Sequence, residues 1–258
     1  MTRPVQFLCF ILMILSTACA STGPAVETGS GENGSAEAAS SFDIQKQDPL
    51  EKVNKGVYSF NTAIDNSVLK PVAEGYEQVT AGPVSRGVTN FFQNLNEPRV
   101  MLNSFLQGKL DRGMTSFARF TINSTLGLGG LIDWAGKSGA PFVDEDFGQT
   151  LAVWGMGDGA YIMLPVLGPS NVRDTLGTIV DFFSYPLFYY PDAAVRNGLY
   201  VVRVIDTRAN ALGTTDVLSE AAGDKEYEFV REAYKQRRKS QVYNGDAPLE
   251  NLEFIEDN

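Results

Sequence analysis

Apolar residues recur at steps of three and four along most of the chain, a period that predicts a mainly α-helical protein. Leu50, Val53, Val57, Phe60, Ile64 and Val68 form one such stripe, with Asn54, Asn61 and Asp65 on a polar stripe beside it. Asp48-Pro49-Leu50-Glu51 marks where that helix starts. The aspartate can accept from free N–H groups of the first turn, proline suits that turn, and glutamate follows the cap by three residues. Further helices are expected near Pro71, Pro83 and Pro98, each proline resetting the chain. The Pro98 helix would present Met101, Leu102, Phe105 and Leu106 before Gly108 stops it, and another carries Leu110, Met114, Phe117 and Thr121. Val195, Leu199, Val202, Ile205 and Leu212 mark a helix within Asp192 to Leu212. A last helix from about Lys225 ends in Lys235, Arg237, Arg238 and Lys239, whose charges complement the negative end of the helix dipole.

The middle of the chain departs from this period. Leu126 to Gly136 is apolar but rich in glycine. Two apolar runs, Leu151 to Trp154 and Ala160 to Leu164, flank Gly155-Met156-Gly157-Asp158-Gly159, a pattern that predicts a hairpin or a mobile loop. Phe182, Phe183, Tyr185, Phe188, Tyr189 and Tyr190 then crowd aromatic rings around Pro186 and Pro191. Beyond the amino-terminal segment no stretch reaches the uncharged apolar length of a spanning helix. The apolar stripes therefore fit one of two arrangements. They face inward in a water-soluble globule, or they lie partly in a lipid leaflet. Periodicity alone does not separate the two.

The amino terminus supplies a second kind of signal. Arg3 precedes the uncharged run Val5 to Leu15, and Ser16-Thr17-Ala18-Cys19 follows. A basic start, a short apolar run and small residues before a cut site describe a secretory signal peptide over residues 1–18. A cysteine directly after the small residues resembles the lipobox of bacterial lipoproteins, where the thiol is acylated, although that motif more often has leucine at position 16. Cys19 is thus the expected lipidation site, carrying an N-acyl diglyceride, and no other cofactor is called for. Ala20 is not aspartate, which favours the outer over the inner membrane by analogy with lipoprotein sorting. Residues 19–42 hold mostly small and polar side chains and are expected to form a flexible tether. A helical domain over residues 43–240 and an acidic, disordered tail over residues 241–258 complete the expected organisation.

Charge and composition remove several functions. The chain carries 31 acidic against 21 basic residues, a formal charge of −10, which argues against nucleic-acid binding and against a polybasic grip on anionic lipid. It contains no histidine, which removes Ser-His-Asp and Cys-His catalysis and the commonest zinc ligand. No glycine-flanked serine elbow appears either, so neither an enzyme nor a metal site is expected.

From Asp48 onward the sequence resembles the MlaA/VacJ family of outer-membrane lipid-asymmetry lipoproteins. The resemblance runs in order through Asp48-Pro49-Leu50-Glu51, Asn90-Phe91-Phe92, Asn103-Ser104-Phe105-Leu106-Gln107-Gly108-Lys109, Arg119-Phe120 with Asp133, Glu145-Asp146-Phe147-Gly148-Gln149-Thr150, Gly168-Pro169-Ser170 with Arg173-Asp174, and Arg231-Glu232-Ala233-Tyr234. It implies a mainly α fold, a ring of amphipathic helices around a pore with a short glycine-rich hairpin or loop, held in the periplasmic leaflet of the outer membrane. It implies as partners a phospholipid substrate, a trimeric porin beside the ring and a soluble periplasmic lipid carrier. On this likeness Gly155, Gly157 and Gly159 belong to a loop that sets pore opening, although a plain tight turn explains them as well. Arg119, Asp133, Arg173 and Asp174 either contact lipid head groups along the pore or form ion pairs and caps that hold the ring. Trp134, Trp154 and Phe147 are candidate membrane-interface side chains. A non-transporting lipoprotein that scaffolds porins is the alternative reading.

Overall fold

The computed structural model describes residues 48–80 and 82–246. The expectations for the signal peptide, for Cys19, for the tether and for residues 247–258 of the tail lie outside the described residues. Among the described residues the architecture is mainly α, with one two-stranded hairpin. Helix α1 (Glu51–Ile64) runs through a π-helical segment (Asp65–Leu69) into α2 (Lys70–Thr80). α3 (Pro83–Leu106) and α4 (Leu110–Thr125) follow, then the short α5 (Trp134–Lys137) and α6 (Phe147–Val153). Strands β1 (Tyr161–Leu164) and β2 (Gly168–Asn171) precede α7 (Val172–Ser184), a 3-10 turn (Pro186–Tyr189), α8 (Ala193–Ala222) and α9 (Glu226–Val242).

Three sequence expectations are corrected. Pro98 does not start a helix but sits inside α3, because one missing N–H is outweighed by the long face that α3 packs against α4. Pro71, by contrast, is the second residue of α2 (Lys70–Thr80), so a helix does start near it as expected, although the chain runs into it from α1 without a break. It lies just after the π-helical segment, and a local change of winding is a known way for a helix to absorb proline. The hairpin turns at Pro165-Val166-Leu167, with Tyr161 opposite Asn171 and Leu164 opposite Gly168. It does not turn at the glycine-rich segment, since Leu151 to Val153 is helical. At the other end, α9 reaches Val242, so the first residues assigned to the tail continue the helix.

The decisive property of the fold is which stripe of each helix is buried. On α4 the buried residues are Gly113, Ser116, Arg119 and Asn123, while Leu110, Met114 and Phe117 are exposed. On α1 the one buried residue is Asn54, and Val53, Phe60 and, just beyond the helix, Val68 stand exposed. α3 likewise buries Asn94, Asn96, Glu97, Asn103 and Ser104 and exposes Leu102, Phe105 and Leu106. Buried polar and charged residues outnumber buried hydrophobic ones among the described residues. Soluble proteins have the opposite distribution, whereas helices that meet in lipid pack through small and polar side chains. The apolar stripes of these helices thus face outward. The conventional core is small: Tyr161, Met163 and Tyr227, with Val57, Tyr58, Val230 and Tyr234 against them.

The packing closes on itself. α1 touches β1, β2 touches α7, α7 touches α3, α3 touches α8, and α8 touches α2, which continues from α1. Such a circuit is compatible with a ring of helices. No helix among the described residues is long and apolar enough to cross a membrane.

Candidate functional site

The polar interior is built from asparagines and ion pairs that join distant elements. Asn54 donates to Tyr161 O (3.1 Å) and Asp48 Oδ1 (2.9 Å), and its own oxygen accepts from Met163 N (2.9 Å). Two helical turns on, Asn61 donates to Leu164 O (2.9 Å) and accepts from Val166 N (2.8 Å). The two amides thereby replace the neighbouring strand that β1 lacks on that side, satisfying backbone groups that would otherwise be stranded. Asp48 also accepts from the Tyr227 hydroxyl and lies 3.7 Å from Arg231. Elsewhere Asp206 on α8 accepts from Tyr76 on α2 (3.0 Å) and Thr89 on α3 (3.0 Å). Asp181 on α7 accepts from Asn103 (3.0 Å), Arg99 (3.2 Å) and the Phe147 N–H (2.9 Å).

Of the four charged candidates, Arg119 and Asp133 are brought together. Arg119 is 2% exposed and donates to Glu97 (2.6 Å), Ala140 O (2.7 Å) and Asp133 (3.3 Å). Asp133 caps α5 through the Gly136 N–H (2.9 Å) and accepts from Asn123 (2.8 Å). Burial raises the Glu97 carboxyl above its ordinary range, with Arg119 opposing the shift. The opposite balance holds at Asp133. Burial alone would raise it, but the Gly136 N–H, Asn123 and Arg119 together bring it below the usual value.

Arg173 and Asp174 meet at the start of α7, beside the glycine-rich segment. Arg173 pairs with Asp158 of that segment and with Asp174. Asp174 also accepts from Tyr234 (2.5 Å) and Arg238 (2.8 Å) on α9, and Arg238 grips Asp146 with both terminal nitrogens (2.6 and 3.0 Å). Arg238 thus serves a network that ties α6, α7 and α9 together rather than the end of its own helix. Gly155 (φ 94°) and Gly159 (φ 69°) take left-handed backbone that favours glycine, while a side chain at Gly157 would meet open space. All three line a cavity of about 650 Å³ that also reaches Asp158, Arg173 and α9.

This network makes a pH prediction. Burial would raise the Asp146 carboxyl, but the Arg238 guanidinium more than offsets it and holds the group down at about 2. A depressed carboxyl contributes stability that is present above its unfolded value of about 4 and is lost as pH falls through the folded value. Thermal unfolding in detergent should therefore lose on the order of 2 kcal/mol between pH 5 and pH 2. Arg238→Met should flatten that acid limb. An unchanged limb in the variant would show that Asp146 does not depend on Arg238.

Comparison with known proteins now bears on what this arrangement is. The family model for MlaA lipoproteins matches residues 46–241. The chain belongs to the MlaA lipoprotein family. It is 38% identical over 205 residues to the intermembrane phospholipid transport system lipoprotein MlaA of Escherichia coli K12, covering 78% of this chain and 80% of that protein. The Haemophilus influenzae protein of the same name is 34% identical over 208 residues, covering 78% and 81%. A solved structure, described as the structural basis for maintenance of bacterial outer membrane lipid asymmetry, aligns with a TM-score of 0.66 at 38% identity, covering 76% of this chain and 98% of that one.

The three aromatic candidates sit on the outside of this MlaA-family domain or near it. Trp134 is exposed, with the Lys137 ammonium 4.7 Å from its ring centroid. Trp154 is exposed, donates to Leu106 O (3.0 Å) and meets the half-buried Phe147 edge to face. Phe182, Phe183, Phe188 and Tyr189 form a further exposed or half-exposed ring cluster. Sequence reading missed Glu97, Glu145, Asp181 and Asp206 as interior residues. A signal was available for Asp181 and Asp206, which follow Ile179-Val180 and Val204-Ile205, whereas Glu97 and Glu145 stand among polar neighbours and carry none; in all four, burial is tolerable only with partners.

Proposed function

We propose that this protein withdraws phospholipids misplaced in the outer leaflet of the outer membrane through an amphipathic pore in its helical ring. It passes them to a soluble periplasmic carrier and so maintains lipid asymmetry. In this reading the lipid on Cys19 fixes the chain in the periplasmic leaflet, and a trimeric porin stands beside the ring. The observation that carries it is the inverted burial. Apolar stripes on α1, α3 and α4 face outward, where acyl chains can meet them, and Asn, Arg and carboxylate side chains lie inside. That outer surface suits a ring seated among acyl chains, and the names of the MlaA relatives point to phospholipid as what it carries. The pairing of Arg119, Asp133 and Asp174 supports a role in holding the ring, with Trp134, Trp154 and Phe147 as interface anchors.

The test is direct. Cells lacking the protein should accumulate phospholipid on their surface, and the purified chain should bind phospholipid. Normal surface lipid in the deletion would leave a porin scaffold as the better reading. The glycine loop is the proposed gate, and Gly157→Val tests it most cleanly because a Cβ there meets nothing within 4 Å and the backbone is not left-handed. We expect surface phospholipid to change severalfold while stability shifts by less than about 0.5 kcal/mol. Wild-type lipid content in a folded Gly157→Val protein would count against gating.

A further inference from the structure

The Asp158–Arg173 pair is lopsided. The Arg173 side chain is 4% exposed and that of Asp158 is 70% exposed. Arg173 also donates through Nε to Asp174 (3.0 Å), and its Nη2 lies beside the same carboxylate as an ion pair without making a hydrogen bond. A buried guanidinium that loses one of its partners pays a large desolvation penalty unless another anion arrives, whereas an exposed carboxylate released into water loses little. The partner in this pair is therefore exchangeable on the Asp158 side only.

The surroundings favour one kind of replacement. The cavity of about 650 Å³ is lined by Asp158, Arg173, Glu232, Lys235, Arg238 and Lys239, four cationic groups against two anionic ones. Arg238 is engaged by Asp146 and Asp174, and Glu232 reaches Lys235 at 4.0 Å. Guanidinium matches phosphate oxygens as well as it matches carboxylate, in the same forked geometry. The Asp158 side chain adds to the ties of the glycine segment, whose first residues are held on α6 by Gly155 N to Ala152 O (2.9 Å) and Met156 N to Leu151 O (2.9 Å). The Asp158 backbone carbonyl accepts from Arg173 N at 3.2 Å, and Ala160 O accepts from Val172 N at 3.1 Å, but Gly155 to Gly157 have no such anchor on α7. We propose that a phosphate group entering this cavity displaces Asp158 from Arg173, and that this exchange frees the glycine loop. The inference rests on the transport reading for the source of that phosphate, a phospholipid head group. It makes loop opening a response to cargo.

The experiment is hydrogen–deuterium exchange of the full chain in detergent, read at residues 155–159 and at Val172 and Arg173, whose N–H groups bond the Ala160 and Asp158 carbonyls and so report whether the loop is docked on α7. The added probes are a short-chain diacyl phosphatidylethanolamine, inorganic phosphate and a short-chain diacylglycerol. The phospholipid should speed exchange in the loop and the diacylglycerol should not. Inorganic phosphate acting at lower concentration than the lipid would uphold the exchange but assign it to free phosphate. Asp158→Asn should free the loop without any probe and tighten binding of the phospholipid about tenfold, because the competing carboxylate is gone. Phospholipid that binds without moving the loop, or an Asp158→Asn loop as protected as the wild type, overturns the exchange and leaves the transport reading intact. A chain that binds no phospholipid while phosphate still moves the loop sinks the transport reading alone.

Discussion

Arg119→Met should cost the domain about 3–5 kcal/mol, the largest loss expected from any single substitution discussed above. The reason is the partner left behind. Glu97 is 0% exposed and Arg119 is its ion-pair partner at 2.6 Å, so removing the guanidinium leaves a buried carboxylate whose ionised form is already disfavoured. Asp133 loses the same cation, and with it part of the grip on α5. Two signatures distinguish this cause from simple loss of packing. Glu97→Gln added to Arg119→Met should recover much of the loss. The single variant should also regain stability as pH falls, because its Glu97 carboxyl, raised further without Arg119, then takes up a proton. Unfolding in denaturant, followed through Trp134 next to Asp133, would report both. A deficit that stays constant from pH 8 to pH 4 would mean that the charge is not its source.

Asn54→Leu should be nearly as damaging, although it replaces a polar residue by an apolar one inside a folded protein. The substitution strands the Tyr161 carbonyl and the Met163 N–H on β1, each worth about 1–3 kcal/mol when buried without a partner. It also removes a donor to Asp48. Val53→Ser, one residue away on the exposed side of α1, should change stability in detergent by far less. Equal losses at the two positions would show that α1 does not present its asparagines to the hairpin.

These two cases also show what could be read from the sequence. The stripe Asn54, Asn61, Asp65 and the stripe Leu50, Val53, Val57, Phe60, Ile64, Val68 are both visible as helical periods. Which of them faces inward is not, because a period of 3.6 is the same whether the outside is water or acyl chain. The expected break at Pro98 failed because the packing of α3 on α4 is a tertiary fact that local rules omit. Of the two expectations for the glycine segment, hairpin or loop, the loop is what stands: the hairpin turns at Pro165-Val166-Leu167, where a single proline gives a weaker turn signal than the three glycines and aspartate of Gly155 to Gly159. Arg238 looked like a charge for its helix end, yet its partners Asp146 and Asp174 lie 92 and 64 residues away. What placed the chain was the ordered run of short motifs from Asp48 to Tyr234, and among them Asp48, Asn103, Arg119, Asp146 and Asp174 became joints between elements.

A domain whose interior is amides and ion pairs also has an unusual thermal character. The large heat-capacity increase of ordinary unfolding, about 12–15 cal/mol/K per residue, comes from apolar surface newly wetted when a core opens. Here much of the greasy surface is already outside and the surface to be uncovered is polar, which lowers heat capacity. Calorimetry should find an increment per residue well below that range, and a stability curve that is broad and shallow, holding the fold at temperatures where oil-cored proteins begin to loosen in the cold.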